Sequence, residues 1–585
     1  MFEQEKTRID AEIRAYLQSE GIENPILEFR QIPFSGEWGL AIPLFPVAAT
    51  EARSGKQVIV PKRAQELAEA IKASLGAPPA GFSHIEAVNG YLNLYFSTSA
   101  YARRVVDTVL QEGENFGRAD NRGETVMVEY SQPNTHKAFH VGHLRNVILG
   151  GSVCRILEFA GYEVIRANYL GDIGLHVVKW MWNYLKNHLG EIPGENKTHW
   201  MNDIYAEADR LFQDPENEAE IRALYARWNA RDPEIVDLWR KTRGWSLEGF
   251  SDIYDLLGEE FDRIYFESDV EDPGVALVEK IVEDGLAEDE RPEGPVFFDL
   301  DAAAGTEDEF RVLVLLRSDG SSLYATKDLP LAILKFEEYN LDQSIYVIDV
   351  RQSLYLKQIF KTLEILGFPW ADQLHHLPYE LVNLPGNVTM SSREGTVVMF
   401  DDLVTEATQR TRAIVEEKNP ELSEQAKAAI AQAVALGALK YTMLSRDNTK
   451  VVTFDWDTAL DFNGQAAPYI QYAHVRAGSI LRKGGQDLQD ATEFPSALEK
   501  AEVDLIELMT RLPEDVERAA VEYRPLVIAN LAYDLARAFN DFYNTCHVLY
   551  AEPEVRAYRL RLVAAAQQVI ATSLQLLGIK APSMM

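Results

Sequence analysis

Val126-Met-Val-Glu-Tyr-Ser-Gln-Pro-Asn-Thr-His-Lys-Ala-Phe-His-Val-Gly-His-Leu-Arg-Asn146 is the stretch on which the fold turns. Thr125 to Ser131 is a short apolar run that closes at Pro133, the pattern of a buried parallel strand. From Gly142 onward, Leu144, Val147, Ile148, Val153, Ile156 and Leu157 recur at helical spacing, and Gly161 stops the helix they predict. Tyr162 to Tyr169 then predicts a second strand. The three together form a βαβ unit whose polar loop lies at the carboxyl end of its first strand, where open parallel sheets bind ligands. That loop sets His140 and His143 at a helix start, among backbone N–H groups with no partner inside the helix, and such a set suits a phosphate. The same imidazoles also serve as plain helix caps, and the residues alone leave both readings open. Gly142, without a Cβ, would let a flat ring or a ribose press against the backbone.

Working outward, the chain of 585 residues has room for about three domains. Its 46% hydrophobic and 25% charged residues are ordinary for a soluble globular protein. The start, Met1-Phe-Glu-Gln-Glu-Lys-Thr-Arg8, has no apolar signal core, and no uninterrupted apolar run is long enough for a bilayer, so a cytoplasmic protein without membrane contact is expected. Cys154 and Cys546 are too few and too far apart for a disulfide framework or a zinc site, and no resident metal is expected. The net charge of −34 opposes a polyanionic partner only as an average, because binding depends on local basic faces such as Arg476, Arg482 and Lys483 would make.

The fold class expected is multidomain α/β: a Rossmann-type parallel-sheet catalytic domain with a small α+β N-terminal domain and an all-helical C-terminal domain. Residues 1–105 make the first small domain, with helical patterns at Gln4 to Ser19 and Ala64 to Leu75 and a strand at Gly90 to Phe96. Residues 122–455 form the catalytic domain, interrupted by a helical, charge-rich insertion over about 180–266 whose charged faces read as solvated. In its second half, Arg311 to Arg317, an Asp-Gly turn within 318–321, and Ser322 to Thr326 predict a hairpin. Leu329-Pro330 after Asp328 predicts a helix start there, with Asp328 as its cap and Tyr324 as a strand aromatic. Ile345 to Val350 is the next strand. Residues 460–585 read as all helical, with Leu531 to Tyr543 and Tyr558 to Leu577 as long amphipathic patterns and Gly578 closing the last. Tyr469, Tyr472 and Arg476 share a helical face there, and such a stripe serves either as core or as a stacking surface.

Glu129-Tyr-Ser-Gln-Pro-Asn134, Lys137, His140-Val-Gly-His143 and Arg166-Ala-Asn-Tyr-Leu-Gly-Asp-Ile-Gly-Leu-His176 together resemble the class I aminoacyl-tRNA synthetases, and among them the arginyl family, in which His140 to His143 would be the "HIGH" signature. The resemblance runs through nearly the whole chain. It implies ATP-dependent attachment of L-arginine to its tRNA through an arginyl-adenylate, with AMP and pyrophosphate released and Mg2+ accompanying ATP. Lys137, His140, Gly142 and His143 are then catalytic. Tyr324 to Asp328 match the family's Tyr-x-Thr-x-Asp pattern for the substrate guanidinium, which a carboxylate can meet with two parallel bonds. Arg351 to Gln358 resembles the family's Gln-x-x-His-x-x-Gln stretch, placing Gln352 at the substrate and leaving open the role of Tyr355, which stands where the family has His. Glu129, Ser131 and Asn134 would meet the ammonium and carboxylate of arginine.

Val388 to Thr396 takes the place of the "KMSKS" signature, with Thr389 and Ser392 where its lysines would be. Met390, Ser391, Ser392 and Arg393 would join His140 and His143 at ATP, and Lys137 would supply the missing lysine charge. The N-terminal domain resembles one that touches the D-loop side of tRNA, although Gly36-Glu-Trp-Gly-Leu-Ala41 departs from the family's pattern. The C-terminal region resembles a helical anticodon-binding domain, with Tyr469, Tyr472, His474 and Arg476 toward the tRNA. A monomer is expected. A cysteinyl-type enzyme would want zinc-ligand cysteines. An inactive, synthetase-like tRNA-binding regulator is the remaining alternative, and the intact His140, His143, Lys137 and Asp328 speak against it.

Overall fold

The computed structural model describes the chain except for residues 1–2, 33, 35, 56, 80, 385–387, 390–397, 486–493 and 496. It forms two compact units, one of Met1–Phe116, Arg476–Leu512 and Asp534–Ile570, the other of Gly117–Val475, Pro513–Tyr533 and Ala571–Met585.

The first unit contains a four-stranded antiparallel sheet ordered Arg30–Ile32, Gly39–Pro43, Tyr91–Phe96, Phe82–Val88. Leu92, Leu94 and Phe96 alternate into the core as the period of two requires. Helix Val60–Leu75 packs against it and against helix Glu3–Ser19, and Tyr101 of helix Thr98–Glu112 meets Phe96 of the sheet at 5.3 Å between ring centroids; on Glu3–Ser19, Ile9, Ile13 and Leu17 are fully buried at four-residue spacing.

The second unit is built on a five-stranded, all-parallel sheet ordered Leu374–Tyr379, Gln343–Asp349, Thr125–Glu129, Glu163–Leu170, Arg263–Phe266. Strand order reverses between Thr125–Glu129 and Gln343–Asp349, so the crevice at their carboxyl ends is the place for a ligand. The first strand ends at Glu129 rather than Ser131, because Ser131 and Gln132 adopt φ of 78° and 50° and turn the chain out of the sheet. Helix Val141–Phe159 follows, and its contacts surround it. Mid-helix glycines cost about 1 kcal/mol each relative to alanine, yet a Cβ on Gly150 would stand 2.3 Å from the Tyr130 ring and one on Gly151 2.3 Å from the Glu259 carboxylate. Ser152 Oγ, beside them, donates to the Leu576 carbonyl at 3.0 Å.

Two expectations are corrected. The predicted hairpin exists only as a turn: Gly320 N–H donates to Arg317 O at 2.9 Å and Arg317 N–H to Ser321 O at 3.0 Å, with a single further bridge between Leu316 and Ser322. Strand Val312–Leu316 pairs instead with Val296–Asp299. Tyr324 opens the helix Tyr324–Tyr339, so it is not a strand aromatic, Asp328 is not the cap, and Pro330 lies inside the helix. Proline leaves the carbonyl four residues earlier without its helical partner. That carbonyl, on Thr326, faces Gly274 of helix Glu267–Glu283, where an added Cβ would come within 1.9 Å of the oxygen.

The insertion also does more than present charge to solvent. Helices Leu175–Asn187, Lys197–Leu211, Pro215–Asn229 and Pro233–Leu257 enclose an aromatic core including Trp180, Tyr184, Trp228 and Trp239. Arg243, on the last of them, reaches buried Asp172 at 2.8 Å. Past residue 460 the named elements are helices: Ala467–Gly484, Lys500–Thr510, Leu512–Glu522, Leu526–Thr545 and Pro553–Leu576, with Gly578 at φ 67° beyond the last. Among the described residues, no helix is long and apolar enough to cross a membrane.

Candidate active site

A cavity of about 920 Å3 opens at the strand-order reversal, lined by residues from the first strand's loop, the Val141–Phe159 helix, the Tyr324–Tyr339 helix and the turn after Gln343–Asp349. One end belongs to the helix N-terminus. His140 is its N-cap and accepts the Gly142 N–H through Nδ1 at 3.1 Å, while His143 Nδ1 accepts the His140 N–H at 3.3 Å. Capping and ligand contact are therefore compatible: each Nδ1 is an acceptor, which leaves the proton on Nε2. The two rings stack with centroids 3.9 Å apart. Burial, and the positive charge of Lys137, hold both neutral, His140 pushed down to about 4 and His143 well below its usual range. The space over Gly142 is filled by His140 itself, whose Cε1 would meet an added Cβ at 2.9 Å.

The loop before this helix is held in a shape the backbone rarely takes. Ser131, Gln132 and His136 all have positive φ. Side chains distant in sequence fix them. Ser131 N–H donates to Asn146 Oδ1 at 2.6 Å and Gln132 N–H to Asn168 Oδ1 at 3.1 Å; the Ser131 hydroxyl lies 2.7 Å from that of Tyr254. His136 is buried between Thr135 and Thr242, at 3.0 and 2.8 Å, with its N–H donating to Ser246 Oγ at 2.9 Å, and burial pushes it down to about 3. Lys137 is on the same loop but does not line the cavity; its ammonium lies 5.1 Å from the Tyr205 ring centroid, and burial lowers its pKa against the pull of Asp209.

Arg145 shares the wall with His143. Its guanidinium donates to the carbonyls of Glu380, Leu381 (2.8 Å), Asn448 (3.3 Å) and Lys450 (2.9 Å). No carboxylate among the described residues pairs with it, and burial lowers it to about 10. Sequence reasoning missed this residue.

The other end is ionic. Glu129 pairs with Lys335, both fully or almost fully buried, and accepts from Gln132 Nε2 at 2.7 Å. Glu267 pairs with Lys327. Among the described residues, Asp328 has no cation of its own. The Tyr355 hydroxyl donates to Asp328 Oδ2 at 2.5 Å, and burial pushes the carboxyl up to about 7. Three carboxylates thus meet two lysines, an arrangement short of one positive charge. The Tyr169 hydroxyl, buried at the same end, has no hydrogen-bond partner among the described residues.

Of the residues expected at the substrate, Glu129, Ser131, Asn134, Tyr324, Asp328 and Gln352 all line this cavity. Asn134 rests against Gly171, where any Cβ would lie 2.2 Å from its Oδ1. Tyr324 is 68% exposed and stands at the mouth. Met390, Ser391, Ser392 and Arg393 lie outside the described residues. Tyr469, Tyr472, His474 and Arg476 all fall on helix Ala467–Gly484. Tyr472 is exposed, whereas Tyr469 packs on Tyr533 at 5.6 Å, His474 Nδ1 lies 3.1 Å from the Pro582 carbonyl, and Arg476 donates to Asn540 Oδ1 at 2.5 Å.

Two stretches of the chain match known families. Residues 105–456 match the model of the class I (R) tRNA synthetase catalytic domain, and residues 470–585 match the DALR anticodon binding domain. The chain is 35% identical over 568 residues to an arginine–tRNA ligase of Clostridium perfringens, covering 96% of each. It is 34% identical over 570 residues to that of Treponema pallidum, covering 95% of this chain and 94% of the relative. The solved arginyl-tRNA synthetase of Thermus thermophilus superposes with a TM-score of 0.75 at 30% identity, over 99% of this chain and 100% of that one.

Proposed function

The chain belongs to the arginyl branch of the class I tRNA synthetases and joins arginine to its tRNA with ATP, and from that premise we propose how its cavity divides the work. The observation that carries the reading is the charge count: Asp328, the carboxylate left without a lysine, lies at the end of the cavity opposite a helix N-terminus. A guanidinium supplies the missing charge in a planar fork that a carboxylate can meet with two bonds. Tyr324 and Gln352 flank it at the mouth, and Glu129, Ser131 and Asn134 face the ammonium and carboxylate of arginine.

ATP then lies toward the helix. The Nε2–H groups of His140 and His143 receive phosphate oxygens as neutral donors at the helix N-terminus. The arginine carboxylate attacks the α-phosphorus, pyrophosphate leaves, and the terminal adenosine of the tRNA attacks the resulting adenylate. Such chemistry depends on positioning and charge stabilisation rather than on an enzyme-bound covalent intermediate. Lys137 turns from Tyr205 toward the leaving phosphates, and Met390 to Arg393 would join His140 and His143 at the nucleotide. Mg2+ would enter with ATP, held chiefly by its phosphates; among the described residues no cluster of three metal-ligating side chains waits for it.

Residues 1–105, 122–455 and 460–585 act respectively as tRNA-touching, catalytic and anticodon-binding parts of a cytoplasmic monomer, and Tyr472 is the exposed ring that stacks on a tRNA base. ATP–pyrophosphate exchange with each amino acid, with and without total tRNA, tests the assignment: exchange should require arginine. Exchange driven equally by another amino acid would refute it. Tyr472→Ala should weaken tRNA binding by about 1 to 3 kcal/mol if the ring stacks on a base; unchanged binding would return Tyr472 to the structural residues.

A further inference from the structure

The Asp328–Tyr355 contact joins two elements of the ionic end, the helices Tyr324–Tyr339 and Ser353–Ile365. Tyr355 takes one carboxylate oxygen, Oδ2, and among the described residues no hydrogen bond reaches Oδ1. The groups facing this carboxyl are mostly anionic or neutral: Glu129 from the first strand, Glu267 from the start of its helix, the unpartnered Tyr169 hydroxyl from the second strand, and Tyr355 itself. On its own helix Lys327 is already engaged by Glu267, Lys335 by Glu129, and the Tyr324 ring stands exposed at the mouth. An ion in such company needs either a proton or an incoming cation.

We propose that Tyr355 is the positioning residue of the specificity end: its hydroxyl fixes Asp328 Oδ2 so that Oδ1 faces the cavity, and arginine enters with release of a proton from Asp328 to solvent. The inference rests on the reading of Asp328 as the guanidinium partner. The balance is simple: before binding, part of the population carries Asp328 as the neutral acid; after binding, the carboxylate faces the guanidinium and the proton has left. With this carboxyl at about 7, binding at pH 7 should release about half a proton. The hydroxyl favours the ionised form because it donates to it. Removing it leaves more of the neutral acid at pH 7 and makes little difference once the pH is high enough to ionise Asp328 regardless.

The test compares wild type, Tyr355→Phe and Asp328→Asn, each saturated with tRNA. Arginine KM is taken from ATP–pyrophosphate exchange at pH 7 and pH 9, and proton release from calorimetric arginine titrations in two buffers of different ionisation enthalpy. For a shift of about one pH unit, Tyr355→Phe should raise arginine KM about fivefold at pH 7 and less than about twofold at pH 9, with ATP KM unchanged. Its proton release at pH 7 should rise toward one. An equal KM increase at both pH values would mean lost packing or a direct substrate contact and would overturn the positioning role, as would wild-type binding with no proton released. If Asp328→Asn keeps the wild-type arginine KM at both pH values, the guanidinium reading itself fails, whatever Tyr355→Phe does.

Discussion

At the helix end of the cavity His140 and His143 are uncharged, and the cation beside them, Arg145, is spread over four backbone carbonyls; at the other end Glu129, Glu267 and Asp328 crowd three carboxylates against Lys327 and Lys335. The first end offers directed donors with little fixed charge, which suits a group whose own charge is large and which must leave after reaction. The second offers a fixed charge deficit, which suits a small cation that must be told apart from uncharged side chains. On the proposed assignment, one cavity recognises ATP by geometry and arginine by charge.

The largest expected effect strikes the ionic end. Asp328→Ala should raise arginine KM by the equivalent of about 2 to 5 kcal/mol, the cost of removing one partner of a desolvated charge pair, while ATP KM stays within experimental error. If both constants rise together, the two ends are not independent and the comparison breaks. Next comes the helix end: Lys137→Ala should cut kcat for adenylation about a hundredfold, the scale for one preorganised charge stabiliser, with arginine affinity little changed. Lysine at Ser392 in that background should recover part of the rate. Full adenylation activity in Lys137→Ala would leave the role to Arg393.

Arg145→Met tests the wall between them. Four carbonyls lose their donor, so urea unfolding should show a loss of about 2 kcal/mol or more, the scale for stranded buried polar groups. Because its guanidinium is engaged by backbone carbonyls, Arg145→Lys should restore part of the stability and leave the arginine KM alone. A shifted arginine KM would show that this wall reaches the ionic end.

The smallest effect per group is acid sensitivity, and its sign differs between the ends. His136 is held neutral at about 3, so its contribution is fully present above the unfolded value near 6.5 and is lost as pH falls toward 3. Between pH 6.5 and 5.5 that loss is about 1 kcal/mol. Asp328 works the other way: raised to about 7, its neutral form favours folding at low pH, and that contribution fades as pH rises through 7 unless arginine is bound. Arginine should therefore raise the Tm of the catalytic unit more at pH 8 than at pH 6. Equal protection at both would remove Asp328 from the binding site.

The βαβ unit was legible because its signals are local: the apolar run ending in Pro133, the spacing from Leu144 to Leu157, and Gly161. Asp328 and Tyr324 were legible as a pair through a motif, yet their element was misplaced. Ser322 to Thr326 has strand-like composition and Pro330 suggested a helix start, but the helix begins at Tyr324 and tolerates the proline where Gly274 leaves room beside the freed carbonyl. Thr242, Ser246 and Tyr254 hold the signature loop from more than a hundred residues away, and nothing in a helical surface pattern marks them for it. Arg145 was invisible for a different reason: its acceptors are backbone carbonyls, which carry no residue identity.

The enclosure of helix Val141–Phe159 also sets a timetable. Its neighbours include Glu259 against Gly151, the carbonyls of 380 and 381 and then of 448 and 450 on Arg145, and the carbonyl of Leu576 on Ser152. The histidine pair lies near residue 140, but the groups that hold its helix come from 259, from 380 and 381, from 448 and 450, and from 576, so a nascent chain that stops before Asn448 holds the signature without the last of these carbonyls.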